Sequence, residues 1–410
     1  MCYNNVRFFK TIKKRGLNSM NIIGCTLMHK TTPVAEIFLK DATCMIEKIG
    51  EIFSVEHLPV GVRIKNGIVN RGELNAWWRN RAMPMERFRI RDLLYEMNVR
   101  TTRLFLPESF GLCLSDAYWI KPMDSDLVWS KINFYDNAFS EDMGRLLFGE
   151  MPPSLADSLC SPDVTTEGCL KKRWEIIDGK RYLIKAGEPP YHQQPFNEVI
   201  ASMIMERLGI AHIPYTLVWR NDEPYSACED FVTPENELVT AFHVMKIRPK
   251  PNHHNDYMHY VTLCKENGLS DIEHALDEML VLDYLVANED RHFNNFGILR
   301  NPDTLKWTSA APIYDSGSSL GYCNFAENLF NNLICKPFKK TFLEQLKLVT
   351  SFDWVEFEKL SGVEKDICDF LCDEKTILFI DSKRRAAIAD LVHSRITWLE
   401  KFALGKQRGC

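Results

Sequence analysis

The chain has no C-x2-C pair among its 13 cysteines, and the cysteine count is odd. That pattern argues against both a disulfide framework and a zinc site. Most of the thiols are expected to be buried, in a reducing cytoplasm. Cys368 and Cys372, one helical turn apart, are expected to pack in the core. No apolar run reaches membrane-spanning length. Charge of one sign is also lacking: the formal net charge is −5 over 410 residues, so no global basic field points to nucleic acid. Neither direct nucleic-acid binding nor membrane insertion is expected. The first twenty residues carry Arg7, Lys10, Lys13, Lys14 and Arg15 without the continuous apolar segment of a signal peptide. Residues 1–19 read as a basic, disordered tail. No internal repeat is visible.

What is present is ordinary globular material: 45% apolar and 26% charged residues, in a chain long enough for two or three domains. The informative stretch runs from Leu282 to Leu299. It reads as the end of an apolar helix, a polar turn and a short hairpin strand. Within it Asp290 is followed by Asn295, and Asp315 comes later with Gly317 two residues on. The order D-x4-N, then D-x-G, is what ATP-dependent phosphoryl transfer needs. One carboxylate, Asp290, faces the acceptor hydroxyl as general base. Asn295 and Asp315 offer hard oxygens to a Mg2+ ion, which prefers such ligands and keeps few of them. Gly317 is expected to let the backbone turn sharply. Alone, D-x4-N also describes a capped helix end with a solvated turn; the later D-x-G and the upstream elements decide against that.

Residues 21–40 alternate in strand fashion, with Pro33 dividing two strands. From Glu73 to Met97 the pattern turns helical, with Trp77 and Trp78 among Arg79, Arg81, Arg87, Arg89 and Arg91; a solvated basic face over a tryptophan core is expected. Residues 101–150 read as irregular structure joining two domains, with a boundary near Met151-Pro152-Pro153-Ser154. Beyond it, Val164 to Ile176 reads as a tight turn opening into a strand, Gly179 turns the chain, and Arg181–Lys185 is the return strand. This turn holds a single glycine, Gly168, and is weak as a phosphate loop by itself. Lys185 is suited to nucleotide phosphates. Glu198, in the first turn of the helix Asn197–Gly209, either fixes Lys185 or complements the helix dipole, and both can hold together. Two strands follow, Tyr215–Trp219 and Tyr225–Val232, and then an α-rich region whose buried helix Asp271–Ala287 mounts the Asp290 turn.

Glycine turn, strand lysine, helix glutamate, edge strand, buried helix, D-R-H-x-x-N and D-x-G follow one another as in a bilobal kinase. The segment Leu285–Gly297, the run Ala311-Pro312-Ile313-Tyr314-Asp315 and the pair Asn197-Glu198 resemble the HipA-like serine/threonine kinases of bacterial toxin–antitoxin systems, over about residues 160–400. The resemblance implies an α+β, bilobal protein-kinase-like fold: a β-rich N-lobe at 151–245, an all-α C-lobe at 246–410, and a small additional N-terminal β-rich domain with its connection at 20–150. It implies ATP and Mg2+ as cofactors. Asp290 would be the catalytic base, supported by Arg291 and His292, and Asn295 and Asp315 the metal ligands. Gly168, Lys172, Lys185 and Glu198 would serve the ATP site, with Glu229, Asp230 and Phe231 as the hinge. The usual G-A-Q-x-K run is absent, although Lys172 lies four after Gly168. Thr165 or Thr166 would be the place of autophosphorylation. The implied partners are a protein substrate, of which an aminoacyl-tRNA synthetase is one kind, and a small helix-turn-helix antitoxin. Two other readings stay open: a phosphatidylinositol or small-molecule kinase, which shares D-R-H-x-x-N, and a catalytically silent binding module.

Overall fold

A computed structural model describes residues 22–330 and 334–407; the basic segment 1–19 lies outside the described residues. Three strands open the chain: β1 (Ile22–His29), β2 (Thr32–Lys40) and β3 (Met45–Ile52). Pro33 does not break them. It occupies the second position of β2 opposite Met28, beside a register shift after Leu27. Helices α1 (Arg71–Asn80) and α2 (Ile90–Glu96) follow. Asn70 caps α1 by accepting from the Glu73 N–H. Strand β4 (Tyr118–Pro122) then returns to pair with β1, which completes an antiparallel sheet of order β3-β2-β1-β4. Residues 101–150 are therefore not simply a connector: they supply β4 and helix α3 (Asp142–Phe148). The basic face expected between Glu73 and Met97 is also divided. Arg79 and Arg91 are exposed, whereas Arg81 and Arg87 are buried.

The second sheet comprises β5 (Lys172–Ile177), β6 (Lys180–Ala186), β7 (Thr216–Arg220) and β8 (Glu223–Glu229), in the order β5-β6-β8-β7. Asp178 and Gly179 both take positive φ between β5 and β6. A two-residue hairpin loop with that backbone matches the twist of its strands. Helix α4 (Gln194–Leu208) packs on this sheet and stops at Gly209, which is left-handed.

The third region contains α5 (Asp256–Glu266), α6 (Ile272–Leu285), α7 (Phe342–Leu346), α8 (Val363–Phe370) and α9 (Ser382–Gln407). It is not helix alone: β9 (Glu237–Thr240), β10 (Gly297–Arg300) and β11 (Trp307–Ala310) form a small antiparallel sheet beside the site. The largest core cluster joins α4 to α6, α8 and α9. Cys368 is only half-buried and Cys372 is exposed, so the core face of α8 is made instead by Val363, Ile367 and, just past its end, Leu371.

A buried polar joint fastens the first sheet to the third. Glu237 on β9 accepts from His29 Nε2 at 3.0 Å, Arg300 Nε at 2.7 Å and the Ala117 N–H at 3.1 Å. Arg300 also donates to the Tyr118 hydroxyl, and the Tyr118 ring stacks on His29 at 4.1 Å. Burial works to raise the Glu237 carboxyl, but Arg300 and His29 outweigh it and hold it at about 2. The stabilisation is thus complete above the ordinary carboxylate value and lost as pH falls towards 2. Glu237→Ala leaves Arg300 buried without its carboxylate. It is expected to lower the unfolding free energy at pH 7 by about 3–5 kcal/mol in urea denaturation; a loss below about 1 kcal/mol would show that the joint is dispensable.

Candidate active site

The site is built where α6 ends. Helix α6 is buried along most of its length, yet it carries Asp283 inside the run Leu280–Leu285. A buried carboxylate requires a partner, and Arg291 provides it. The Arg291 guanidinium is fully buried. It contacts Asp283 through Nε at 3.0 Å and Nη2 at 2.9 Å, and it donates to the carbonyl oxygens of Asn295 and Tyr314 and to the Ser316 hydroxyl. One side chain thereby ties the helix, the Asp290–Asn295 turn and the Tyr314–Ser316 segment together. Asn288 adds a second tie, donating to Asp283 and accepting the Asp290 N–H. Asn295 Nδ2 donates to the Asp290 backbone carbonyl at 3.0 Å, which leaves the side-chain amide oxygen, Asn295 Oδ1, as an acceptor. The Asp290 carboxylate is half-exposed and pairs with Lys336 Nζ at 2.6 Å; His292 lies 3.9 Å from it.

Across the cleft the strand register is decisive. Lys185 on β6 lies opposite Lys172 on β5 and Ser226 on β8, so two ammonium groups share one face. Lys185 Nζ donates to Asp315 at 2.7 Å and to Glu198 and the Tyr215 hydroxyl at 3.3 Å each. Burial opposes the charge on Lys185, but Asp315, Tyr215 and Glu198 hold its pKa well above the usual value. For Asp315 burial is again the largest influence and acts upwards. Lys185 and Lys172 outweigh it and keep this carboxyl well below the usual range. Burial pushes Glu198 up against the pull of Lys185. Glu198 also accepts the Ser316 N–H at 2.8 Å. It therefore fixes Lys185 and the segment after Asp315 at once.

Asp315 takes positive φ (58°), while Gly317 does not. The sharp turn expected of Gly317 is made by Asp315. Gly317 is needed for room, since a Cβ there would stand 3.2 Å from Gln194 and 3.3 Å from Glu198. Asn197 holds this turn by donating to the carbonyl oxygens of Gly317 and Ser319 at 2.8 and 2.7 Å.

Lys172 is buried, and burial, with Arg87 and Lys185 adding to it, lowers its pKa to about 7 despite Asp315. Gly168 takes positive φ (86°), and a Cβ there would meet Lys172 Nζ. Thr165 is buried and donates to the carbonyl oxygens of Leu112 and Pro162; Thr166 donates to Pro162 and accepts from Trp174 Nε1. Phosphorylation of either hydroxyl would require this turn to leave its place. In the segment expected to be the hinge, Glu229 pairs with Lys180 at the surface, Phe231 packs on Tyr314, and burial raises the Asp230 carboxyl well above its usual value.

A cavity of about 960 Å3 is lined by Gly168, Lys172, Lys185, Asp290, Asn295 and Asp315, by Glu229 to Phe231, and by residues of the N-terminal domain. Glu198 and Arg291 stand behind this wall as supports. Asp283, Tyr215, Ser316 and Lys336 were not expected from the sequence. Only Asp283 carried a signal, as a charge within an apolar helix. Asp283→Ala, which strips the carboxylate from a fully buried guanidinium, is expected to cost about 3–5 kcal/mol in chemical denaturation. Asp290→Asn, on a half-exposed pair, is expected to cost no more than about 1 kcal/mol. Equal losses would contradict this division between support and working group.

The family model described as the HipA-like C-terminal domain matches residues 165–374. The serine/threonine-protein kinase CtkA of Helicobacter pylori (strain J99) is 30% identical over 148 residues, which are 32% of this chain and 42% of that relative. The chain thus spans less than half the length of this curated relative. The crystal structure of a Helicobacter pylori proinflammatory kinase CtkA aligns with a TM-score of 0.40 at 20% identity, over 56% of this chain and 95% of that one. HipA in the Shewanella oneidensis MR-1 toxin–antitoxin complex with HipB and operator DNA aligns with a TM-score of 0.51 at 14% identity, over 92% of this chain and 97% of that one. This last likeness concerns the fold, which is the α+β, kinase-like arrangement described above.

Proposed function

The chain belongs to the HipA-like family, and from that premise we propose that it is an ATP- and Mg2+-dependent protein serine/threonine kinase. One observation carries the reading: Lys185 Nζ stands 2.7 Å from Asp315 and 3.3 Å from Glu198, in the wall of a cavity that Asp290 and Asn295 also line. A scaffold has little use for a buried ammonium aimed at an ionised carboxylate on an open cleft.

The residues fit the cofactors on their own chemistry. Among the described residues no group of three or more His, Cys, Asp or Glu could hold a metal, so a divalent ion here would rest on few protein oxygens. Asn295 retains an amide oxygen, and Asp315 stays ionised with only one oxygen engaged by Lys185. That donor set suits Mg2+, which keeps waters and phosphate oxygens as its remaining ligands. When bound, the ion would offset charge on the transferring phosphoryl group. Lys185 and Lys172 would bind phosphates, and the segment Glu229–Phe231 would border the base. Asp290 would orient the acceptor hydroxyl and take its proton, on exchanging its contact with Lys336 for the substrate. A protein acceptor and a small helix-turn-helix antitoxin partner are proposed by family likeness. Among the described residues no helix is long and apolar enough to cross a membrane.

Incubation with γ-labelled ATP and Mg2+ tests the reading on a protein acceptor panel and on the chain itself. Asp290→Asn is expected to lower the transfer rate by about 10²–10⁴-fold, and Asp315→Asn to abolish Mg2+-dependent transfer. Wild-type protein inert towards every protein acceptor but active on a lipid or sugar would refute the assignment of substrate. Mass spectrometry of the incubated chain is expected to place any self-transferred phosphate between Ser161 and Lys172. Phosphate found elsewhere would remove Thr165 and Thr166 as acceptors.

A further inference from the structure

The N-terminal domain reaches the glycine turn along one continuous strip. The Met83 N–H donates to the Val164 carbonyl at 2.9 Å and the Phe88 N–H to the Cys169 carbonyl at 3.1 Å. Between them lies Arg87. Its Nε donates to the Gly168 carbonyl at 2.7 Å, and its Nη2 donates to those of Thr166 at 2.5 Å and Glu167 at 3.1 Å. One guanidinium therefore gathers three successive carbonyl oxygens.

The peptide plane dictates the consequence. In a trans peptide the C=O of one residue and the N–H of the next point in opposite directions. Carbonyls drawn towards Arg87 at 166, 167 and 168 turn the N–H groups of Glu167, Gly168 and Cys169 away from it. Among the described residues none of those three N–H groups has a protein acceptor. Gly168 is left-handed, as a concave run of N–H donors requires, and Lys172 Nζ lies against it. The turn from Thr165 to Leu170 borders the cavity. Arg87 itself is buried, donates to carbonyl oxygens and not to a carboxylate among the described residues, and leaves Nη1 without a hydrogen-bond partner. Its positive charge stands behind the turn, opposed by burial and offset in part by the carboxyl of Asp163.

We propose that Arg87 is a positioning residue that shapes the Glu167–Cys169 turn into a nest of N–H donors for the nucleotide's phosphates, so that the N-terminal domain completes the ATP site. This rests on the nucleotide reading above. It explains how a turn with one glycine serves where several are usual: an external guanidinium fixes peptide orientations that glycines would otherwise leave free. The nest takes polyphosphate and ignores the base.

Calorimetric titration of the full chain with ATP and with adenosine separates the possibilities. Arg87→Met is expected to weaken ATP about tenfold or more and to leave adenosine within about twofold. Retained adenosine binding certifies that the variant is folded. Arg87→Lys, which keeps the charge but cannot span three carbonyls, is expected to recover only part of the loss. ATP affinity unchanged in Arg87→Met overturns the inference and leaves the kinase reading standing. Equal weakening of ATP and adenosine, or full recovery in Arg87→Lys, overturns it as well: the first shows general loosening, the second an action through charge alone. Wild-type protein that binds no ATP refutes the proposed function and this inference with it.

Discussion

A fully buried guanidinium organises the C-terminal half. Arg291 has no route to solvent, so its charge and its donors must all be met inside the protein. Asp283 meets the charge from within helix α6, and the carbonyl oxygens of Asn295 and Tyr314 and the Ser316 hydroxyl accept from the remaining donors. Helix, turn and the Tyr314–Ser316 segment cannot separate without stranding that charge. The half-exposed Asp290 and the cleft-facing Asp315 are thereby held by a group that stands behind the cavity wall. Buried support and exposed carboxylate sit on neighbouring residues, Arg291 and Asp290.

The same logic operates at a smaller scale around Lys185. Two carboxylates flank one ammonium, and the second ammonium, Lys172, stands opposite it across the strands. Like charges in that register repel. The arrangement is tolerable because the Asp315 carboxylate, in contact with Lys185, offsets the charge of both lysines. A site of this kind is electrostatically suited to an anion.

The N-terminal domain is coupled to the rest at two places. Glu237 links β1 and β4 to β9 and β10 through buried charge, and Arg87 reaches the glycine turn through carbonyl dipoles. Both joints are polar and buried, so each is directional. A purely apolar interface would have allowed sliding. The cavity wall accordingly includes residues from both sides of the boundary expected near Met151.

Much of the molecule was legible in order and period. The apolar face of α4, the alternation in β1 and β2, and the spacing of Asp290, Asn295 and Asp315 are local properties, set by which residues follow which. So was the family likeness carried by Leu285 to Gly297. The sequence could not show that Arg81 and Arg87 are buried, since a charge run looks the same whether it is solvated or paired with distant carbonyls. Nor could it show that β4 belongs to the first sheet, because pairing across nearly a hundred residues leaves no trace in local pattern. The positive φ of Asp315, taken in place of Gly317, likewise depends on Glu198 and Asn197 holding the following residues. By itself the sequence determined the strongly periodic elements, such as α4, α6, β1 and β2, and the chemical groups that line the cavity; β4 and α3 lay in a stretch it left irregular. Tertiary structure alone decided which buried charge meets which partner, because that depends on three-dimensional distance and desolvation, and neither is a property of neighbours along the chain.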